Sequence, residues 1–293
     1  MPEAAADTAP AKLLLFGEHT VLHGSSAYAV PLDRFGMELA VGDRPGGTEL
    51  FADWLADARE RPPVRAAVDV EAWAREAGVL SVTSTIPRGY GLGSSGALVA
   101  LVYRRYARGD VGDLRGVLGQ LESFFHGSSS GLDPLVSYLA RPVRVRPDGR
   151  VVPIDRPGPA LPLPHPAGAW FLLDSARARR GRQAIARFRE SGRDAGWRRR
   201  VLDPLRAVVD ELVALAAAGT TEGLTPRLAE LSRLQLAGMR FLIPEDVAER
   251  WGRWLTAGEA YLKLCGAGGG GYFLGYAPGG PGLEAGPLPV VWL

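Results

Sequence analysis

GYGLGSSGALVALVY (residues 89–103) sets glycines at 89, 91 and 93, then two serines, then an apolar run. From Ser94 to Tyr106 there is no proline and no glycine after Gly96. Apolar residues occupy nearly every side, so the spacing predicts a buried helix. Glycine lacks the Cβ that would hold a ligand away from the backbone. A helix start leaves N–H groups without acceptors and carries a partial positive charge. An anion suits such a place, phosphate foremost, and a serine hydroxyl there can ligate Mg²⁺ beside the phosphates. A tight turn whose serines cap the helix reads the same residues equally well. The spacing is neither G-x-x-x-x-G-K-[ST] nor G-x-G-x-x-G, which disfavours a standard P-loop or dinucleotide fold.

Upstream of this stretch, KLLLF (12–16) reads as a buried strand ending at Gly17. AYAVPL (27–32) and RFGMELAV (34–41) read as two further strands. Residues 43–63 form a connection with a short helix, and VRAAVDVEAWAREAG (64–78) has helical spacing with Gly78 as a C-cap. VLSVTSTIP (79–87) places Leu80, Val82 and Ile86 on one face of a strand. Downstream, 111–125 and 133–140 are helical, and RPDGR (146–150) is a hairpin turn. DRPGPALPLPHPAGA (155–169) carries five prolines and marks a linker. AWFLLDS (169–175) opens a second half with helices over 181–191, 197–218, 222–240 and 244–258. Pro244 suits the first turn of the last of these. YLKLC (261–265) and YFLGY (272–276) are strands joined by GAGGGG. This order gives an α+β protein of two lobes, with domains at 1–160 and 161–293.

The 293 residues suffice for one large domain or two ordinary ones. Net charge is +2, and the arginines are spread among acids. The densest basic run, 176–200, lacks interleaved aromatics and reads as a solvated face rather than a nucleic-acid surface. A single cysteine, Cys265, excludes an intrachain disulfide. The first ten residues lack the basic and apolar regions of a signal peptide. No apolar run approaches the roughly 18 residues that span a bilayer. These features lead to the expectation of a soluble cytoplasmic protein with no membrane and no nucleic-acid partner.

Three more stretches carry chemistry-bearing residues. LLFGEHTVLHG (14–24) puts Gly17, Glu18 and His19 at a strand end, with Lys12 on the strand. ESFFHGSSSGLD (122–133) puts Glu122 on a helix and Asp133 after a Ser/Gly turn. KLCGAGGGGYF (263–273) has five glycines in six residues, more than a hairpin needs. Taken singly, these acids and histidines read as surface or capping residues.

Together and in this order, the four stretches resemble the GHMP kinases, and within them the mevalonate kinases. The first resembles K-x-x-x-x-G-E-H-x-V-x-x-G. IPRGYGLGSSGAL resembles P-x-x-x-G-L-G-S-S-A-A, and the others resemble H-G-x-P-S-G-x-D and K-L-T-G-A-G-G-G-G. The resemblance implies a GHMP kinase fold: an N-terminal mixed sheet with a left-handed βαβ crossover and a ferredoxin-like C-terminal lobe, with ATP in the cleft. It implies that Gly91, Leu92, Gly93, Ser94, Ser95 and Gly96 wrap the ATP phosphates and that Ser95 and Glu122 hold Mg²⁺. Asp133 would accept the proton of the acceptor hydroxyl, with Lys12 beside it. Glu18, His19 and Ser130 would touch mevalonate, and Gly266, Gly268 and Gly269 would close one side of the phosphate site. A homodimer is the implied assembly.

Phosphoryl transfer needs charge neutralisation and in-line positioning more than covalent chemistry, which suits this set. The chain departs from the family pattern at Ser129 (usually proline), Pro134 (usually asparagine), Gly96 (usually alanine) and Cys265 (usually threonine). Other readings are a sibling kinase acting on phosphomevalonate, a sugar or homoserine, the related decarboxylase, and a silent binding protein that kept the fold. Glu18-His19 argues against the decarboxylase. The presence of every base and metal-ligand position argues against the silent protein.

Overall fold

The computed structural model describes residues 7–42, 48–155, 161, 168–179 and 181–293. The chain forms two compact units, each drawn from three stretches. The proline-rich linker and the boundary at residue 160 expected from the sequence fall largely on 156–160 and 162–167, outside the described residues.

Strands β1 (Asp7–Phe16) and β2 (Ala27–Val41) each contribute to both units. The strand order in their sheet is β1-β2-β4-β5, with β3 also paired to β2. The two strands expected over 27–41 are one. No turn residue pair separates them, and Pro31 falls between the paired stretches Ala27–Ala29 and Met37–Val41.

One unit comprises residues up to Lys12, Pro31–Pro87 and Gly93–Arg141. Its helices are α1 (Thr48–Arg59), α2 (Pro62–Ala67), α3 (Val70–Glu76), α4 (Ser94–Tyr106), α5 (Leu114–His126) and α6 (Leu132–Leu139), with strand β3 (Leu80–Ser84) between α3 and α4. β3 runs antiparallel to β2, Met37 opposite Ser84 and Val41 opposite Leu80. The single helix expected over 64–78 is two. Asp69 accepts from Ala72 N–H and starts α3 afresh, a capping bond that outweighs continued helical periodicity. α4 spans the residues expected and buries nearly its whole length between Gly96 and Tyr106. It packs against α5 and α6. Trp54, Trp73 and Tyr106 form an aromatic cluster with Phe124 and Phe125 of α5. Full burial of a ring such as Trp54 or Trp73 contributes on the order of 1.5–3 kcal/mol. Trp54 Nε1 also donates to Leu121 O (3.0 Å), pinning α5 one residue before Glu122.

The other unit comprises Leu13–Val30, Arg88–Leu92 and Pro142–Leu293. β4 (Val143–Val145) and β5 (Val151–Pro153) form the hairpin expected at 146–150. β4 pairs with the first residues of β2. After β6 (Ala169–Asp174) come α7 (Gly181–Ser191), the single turn α8 (Ala195–Trp197), α9 (Asp203–Ala218), α10 (Leu224–Gly238) and α11 (Glu245–Ala257). A π turn over Arg198–Leu202 leads into α9, so that helix starts later than the spacing suggests. Pro244 lies at the N-cap of α11 rather than inside it. β7 (Tyr261–Leu264), β8 (Tyr272–Ala277) and β9 (Val290–Trp292) complete a four-stranded antiparallel sheet of order β7-β8-β6-β9. β8 is inserted between β6 and β7, the split arrangement of ferredoxin-like sheets. The segment between β8 and β9 forms turns where that motif carries its second helix.

Candidate functional site

In the first unit the expected catalytic and metal-binding residues come together. Gly93 takes φ 73° as the N-cap of α4, and Ala97 N–H donates to Gly93 O (2.9 Å) as the first helical bond. The N–H groups of Ser94, Ser95 and Gly96 therefore precede the helical ladder and are left for an anion. Lys12 Nζ lies 2.7 Å from Asp133 Oδ1. The lysine side chain is 6% exposed and the aspartate 32%, so the pair is sealed on the lysine side and open on the carboxylate side. A Cβ added to Gly93 would lie 3.4 Å from Lys12 Cβ and 3.6 Å from Asp133 Oδ2, which places this pair beside the helix start.

Gly96 and Pro134, two departures from the family pattern, meet each other. A Cβ on Gly96 would come within 2.8 Å of Pro134 N and 2.9 Å of Asp133 C. The missing methyl lets α4 approach the first turn of α6 that presents Asp133. Ser129, a third departure, donates to Glu122 Oε2 and accepts from Gly131 N–H (3.0 Å). A proline there could make neither bond. Ser95 Oγ donates to Glu122 Oε1 (2.9 Å) and lies 2.9 Å from His126 Nε2. With the Ser95 proton given to Glu122, His126 donates through Nε2. Burial pushes the Glu122 carboxyl above its usual range, and the nearby Asp133 charge adds to the shift.

No group of three or more His, Cys, Asp or Glu among the described residues could hold a metal ion. The hard oxygens of Ser95 and Glu122 fit a cation that takes few protein ligands and completes its shell with phosphate oxygens, which is the habit of Mg²⁺. Ser130 is exposed; its Oγ accepts from Leu132 N–H (3.3 Å) and its carbonyl accepts from Arg115 Nε (2.8 Å).

In the second unit, Glu18 and Lys263 form a buried ion pair whose side chains are 1% and 2% exposed. The Lys263 ammonium also donates to Leu264 O (2.6 Å) and Leu14 O (3.3 Å). Glu18, expected at the substrate, is thus enclosed with a partner the sequence reading did not single out. His19 follows at φ 63°, and its Nε2 donates to Ala267 O (3.0 Å). The ring stacks on Phe188 at 4.4 Å. Burial lowers its pKa to about 4, so it is neutral at pH 7.

Gly91 lies against the last glycine loop: a Cβ there would be 2.9 Å from Cys265 O. Leu92 is buried. Gly266, Gly268 and Gly269 all have positive φ, and Gly269 N–H donates to Leu242 O (2.7 Å). Gly271 N–H donates to Arg177 O (2.7 Å). The glycine excess in this loop thus serves close packing against residues 88–92, 177–178 and 242. Lys263, Ser129 and the bond from His126 to Ser95 were not foreseen as part of these groups. The lysine's place at the head of the K-L-C-G-A-G stretch (263–268) was the one signal for it.

Comparison with known proteins agrees with this architecture. The family model for the GHMP kinases N terminal domain matches residues 63–141. The mevalonate kinase of Thermococcus gammatolerans is 28% identical over 312 residues, covering 92% of this chain and 88% of that one. A mevalonate kinase crystal structure superposes with TM-score 0.66 at 15% identity, covering 99% of this chain and 98% of the other. The L. major mevalonate kinase in complex with R-mevalonate gives TM-score 0.58 at 16% identity, over 94% and 87% of the two chains. The chain is thus similar to the GHMP kinases over residues 63–141 and to mevalonate kinases over nearly its full length. Among the described residues, no helix is long and apolar enough to cross a membrane.

Proposed function

We propose that this protein transfers the γ-phosphoryl group of ATP to the primary hydroxyl of mevalonate, giving 5-phosphomevalonate. The observation that carries the chemistry is the Lys12–Asp133 pair at 2.7 Å, set beside the open N-terminus of α4. The near full-length likeness to mevalonate kinases supports the acceptor.

Asp133, open on its carboxylate side, takes the proton from the acceptor hydroxyl as its oxygen attacks phosphorus. Lys12 holds that carboxylate in place and places a cation by the developing charge. The N–H groups of Ser94, Ser95 and Gly96 take phosphate oxygens, with Gly91, Leu92 and Gly93 shaping the loop. Ser95 Oγ and Glu122 are the groups to hold Mg²⁺, and Ser129 and His126 orient them. The cation, when bound, neutralises phosphate charge during transfer. The family resemblance assigns the acceptor to Glu18, His19 and Ser130. In this chain Glu18 is enclosed with Lys263, while neutral His19 can take part as a hydrogen-bonding group. A cytoplasmic location and a homodimer complete the reading.

Purified protein with ATP and Mg²⁺ in a coupled assay, given mevalonate, phosphomevalonate, galactose and homoserine, tests this. Turnover with mevalonate alone is expected. Turnover only with another alcohol moves the acceptor, and no turnover with any of them overturns the proposal.

A further inference from the structure

Among the described residues, strand β3 pairs with β2 alone, so its other side is an edge of the sheet. The register to β2 sets Ser81 opposite Ala40 and Thr83 opposite Glu38. Just beyond the strand ends, Gly42 N–H donates to Val79 O (3.0 Å) and Thr85 N–H donates to Gly36 O (2.9 Å). Bonded pairs alternate along an antiparallel ladder. Residues 79, 81, 83 and 85 therefore turn their backbone groups toward β2, and Leu80, Val82 and Ser84 turn theirs outward. Among the described residues, those outward N–H and C=O groups have no hydrogen-bond partner.

Proteins usually blunt such an edge with lysine, proline, a bulge or a covering element. VLSVTSTI (79–86) carries no charge and no proline, and its register to β2 runs without a bulge from Leu80 to Ser84. The apolar face is open here too. Leu39 and Leu80 are fully buried, whereas Val82, opposite Leu39, is only half-buried. Among the described residues three large apolar side chains are exposed, and two of them flank this edge: Val41 (44%) and Val79 (40%).

Symmetry identifies what fits. The outward residues 80, 82 and 84 are evenly spaced about Val82. A second copy turned by a two-fold axis at Val82 sets Leu80 opposite Ser84 of that copy and Val82 opposite its own equivalent. These residues face outward on both copies, so every free N–H meets a free C=O. The stretch holds no charge, so no like charges meet across the axis. The arrangement closes at two copies. We propose that the β3 edge is a homodimer surface, on which two copies pair antiparallel through Leu80–Ser84 and join their sheets. The proposal deepens the homodimer of the functional reading and is independent of the phosphoryl-transfer chemistry.

The test combines sedimentation of the wild-type chain over a concentration series with mild oxidation of Val82→Cys and Ser84→Cys, read by non-reducing electrophoresis. Cys265 is buried and is the chain's single cysteine, so a cross-link reports the introduced thiol. The wild type should sediment as a dimer. Facing residues of a bonded pair have Cα atoms about 5.5 Å apart, within disulfide reach, so Val82→Cys should become a covalent dimer. Ser84 lies four residues out of register with its own equivalent, about 13 Å away, so Ser84→Cys should stay uncross-linked. Val82→Lys sets two ammoniums face to face and should lower the association constant by about 100-fold, and mixing it with Val82→Glu should restore pairing. A monomeric wild type overturns this proposal and the homodimer together, and leaves the edge to another segment of this chain or a different protein. A dimeric wild type whose Val82→Cys cross-links no better than Ser84→Cys overturns this surface alone. If Val82→Lys does not fold, the cysteine pair decides. Turnover with mevalonate decides the kinase reading separately.

Discussion

Each unit holds one lysine–carboxylate pair, and the two are built from the same chemistry to different ends. Lys12–Asp133 is covered on the lysine and about one-third exposed on the aspartate, while Lys263–Glu18 is closed on both sides. A carboxylate open to solvent can exchange its partner for a substrate proton. One walled in with an ammonium and two carbonyls cannot do so without opening the structure. Exposure, not residue type, separates a reactive pair from a structural one. The identity Lys-plus-acid carries no such information by itself.

Removing the carboxylate charge from each pair sets the two apart most sharply. Asp133→Asn should lower kcat by about 1,000-fold, within the range that a positioned base supplies. Its ATP affinity and melting temperature should stay near wild type, as read by steady-state kinetics and calorimetry. A variant that keeps its rate would show that Asp133 is not the base and would erase the contrast.

Lys263→Met should act on stability instead. Stranding one member of a buried pair costs about 3–5 kcal/mol. Urea unfolding should show that loss, and Glu18→Gln added to Lys263→Met should restore part of it. Full stability in the single variant would mean the sealed pair holds nothing together.

The smallest of the three effects concerns pH. His19, next to Glu18, has its folded pKa lowered to about 4 from 6.5, so the unfolded chain binds more protons between those values. Its contribution is fully present above pH 6.5 and is lost as pH falls toward 4, to a total on the order of 3 kcal/mol. Thermal melts from pH 7 to 4 should show this slope in the wild type and a shallower one in His19→Gln. Equal slopes would place the acid sensitivity elsewhere.

Local signals in the sequence placed α4 and the turn before it, because glycines and serines at a helix start act within a few residues. Asp133 and Glu122 were found through their motif, and the chain brought them to one place through α5 and α6. The sealed pair was not legible: Glu18 and Lys263 lie at opposite ends of the chain, and no periodicity links them. β9 was missed for a similar reason, since three residues after Pro289 become a strand only by pairing with β6. The single helix read over 64–78 failed through a local rule that was available, the capping aspartate at 69. The continuous β2 was read as two strands, 27–32 and 34–41, divided at Asp33.

The way the chain is divided between units bears on how it is made. It changes unit after residues 12, 30, 87, 92 and 141. During synthesis from the N-terminus, every piece of the first unit is available once Arg141 has emerged. Leu13–Val30 and Arg88–Leu92 belong to the other unit and must wait for strands as late as β8 and β9. Glu18 in particular stays without Lys263 until nearly the whole chain exists. The catalytic aspartate thus belongs to the part whose residues are complete early, and the buried pair to the part that closes last. A cut after Arg141 keeps the first unit's residues on one piece but strips Leu13–Val30 and Arg88–Leu92 from the second, so a split gene would have to return those two segments to their places.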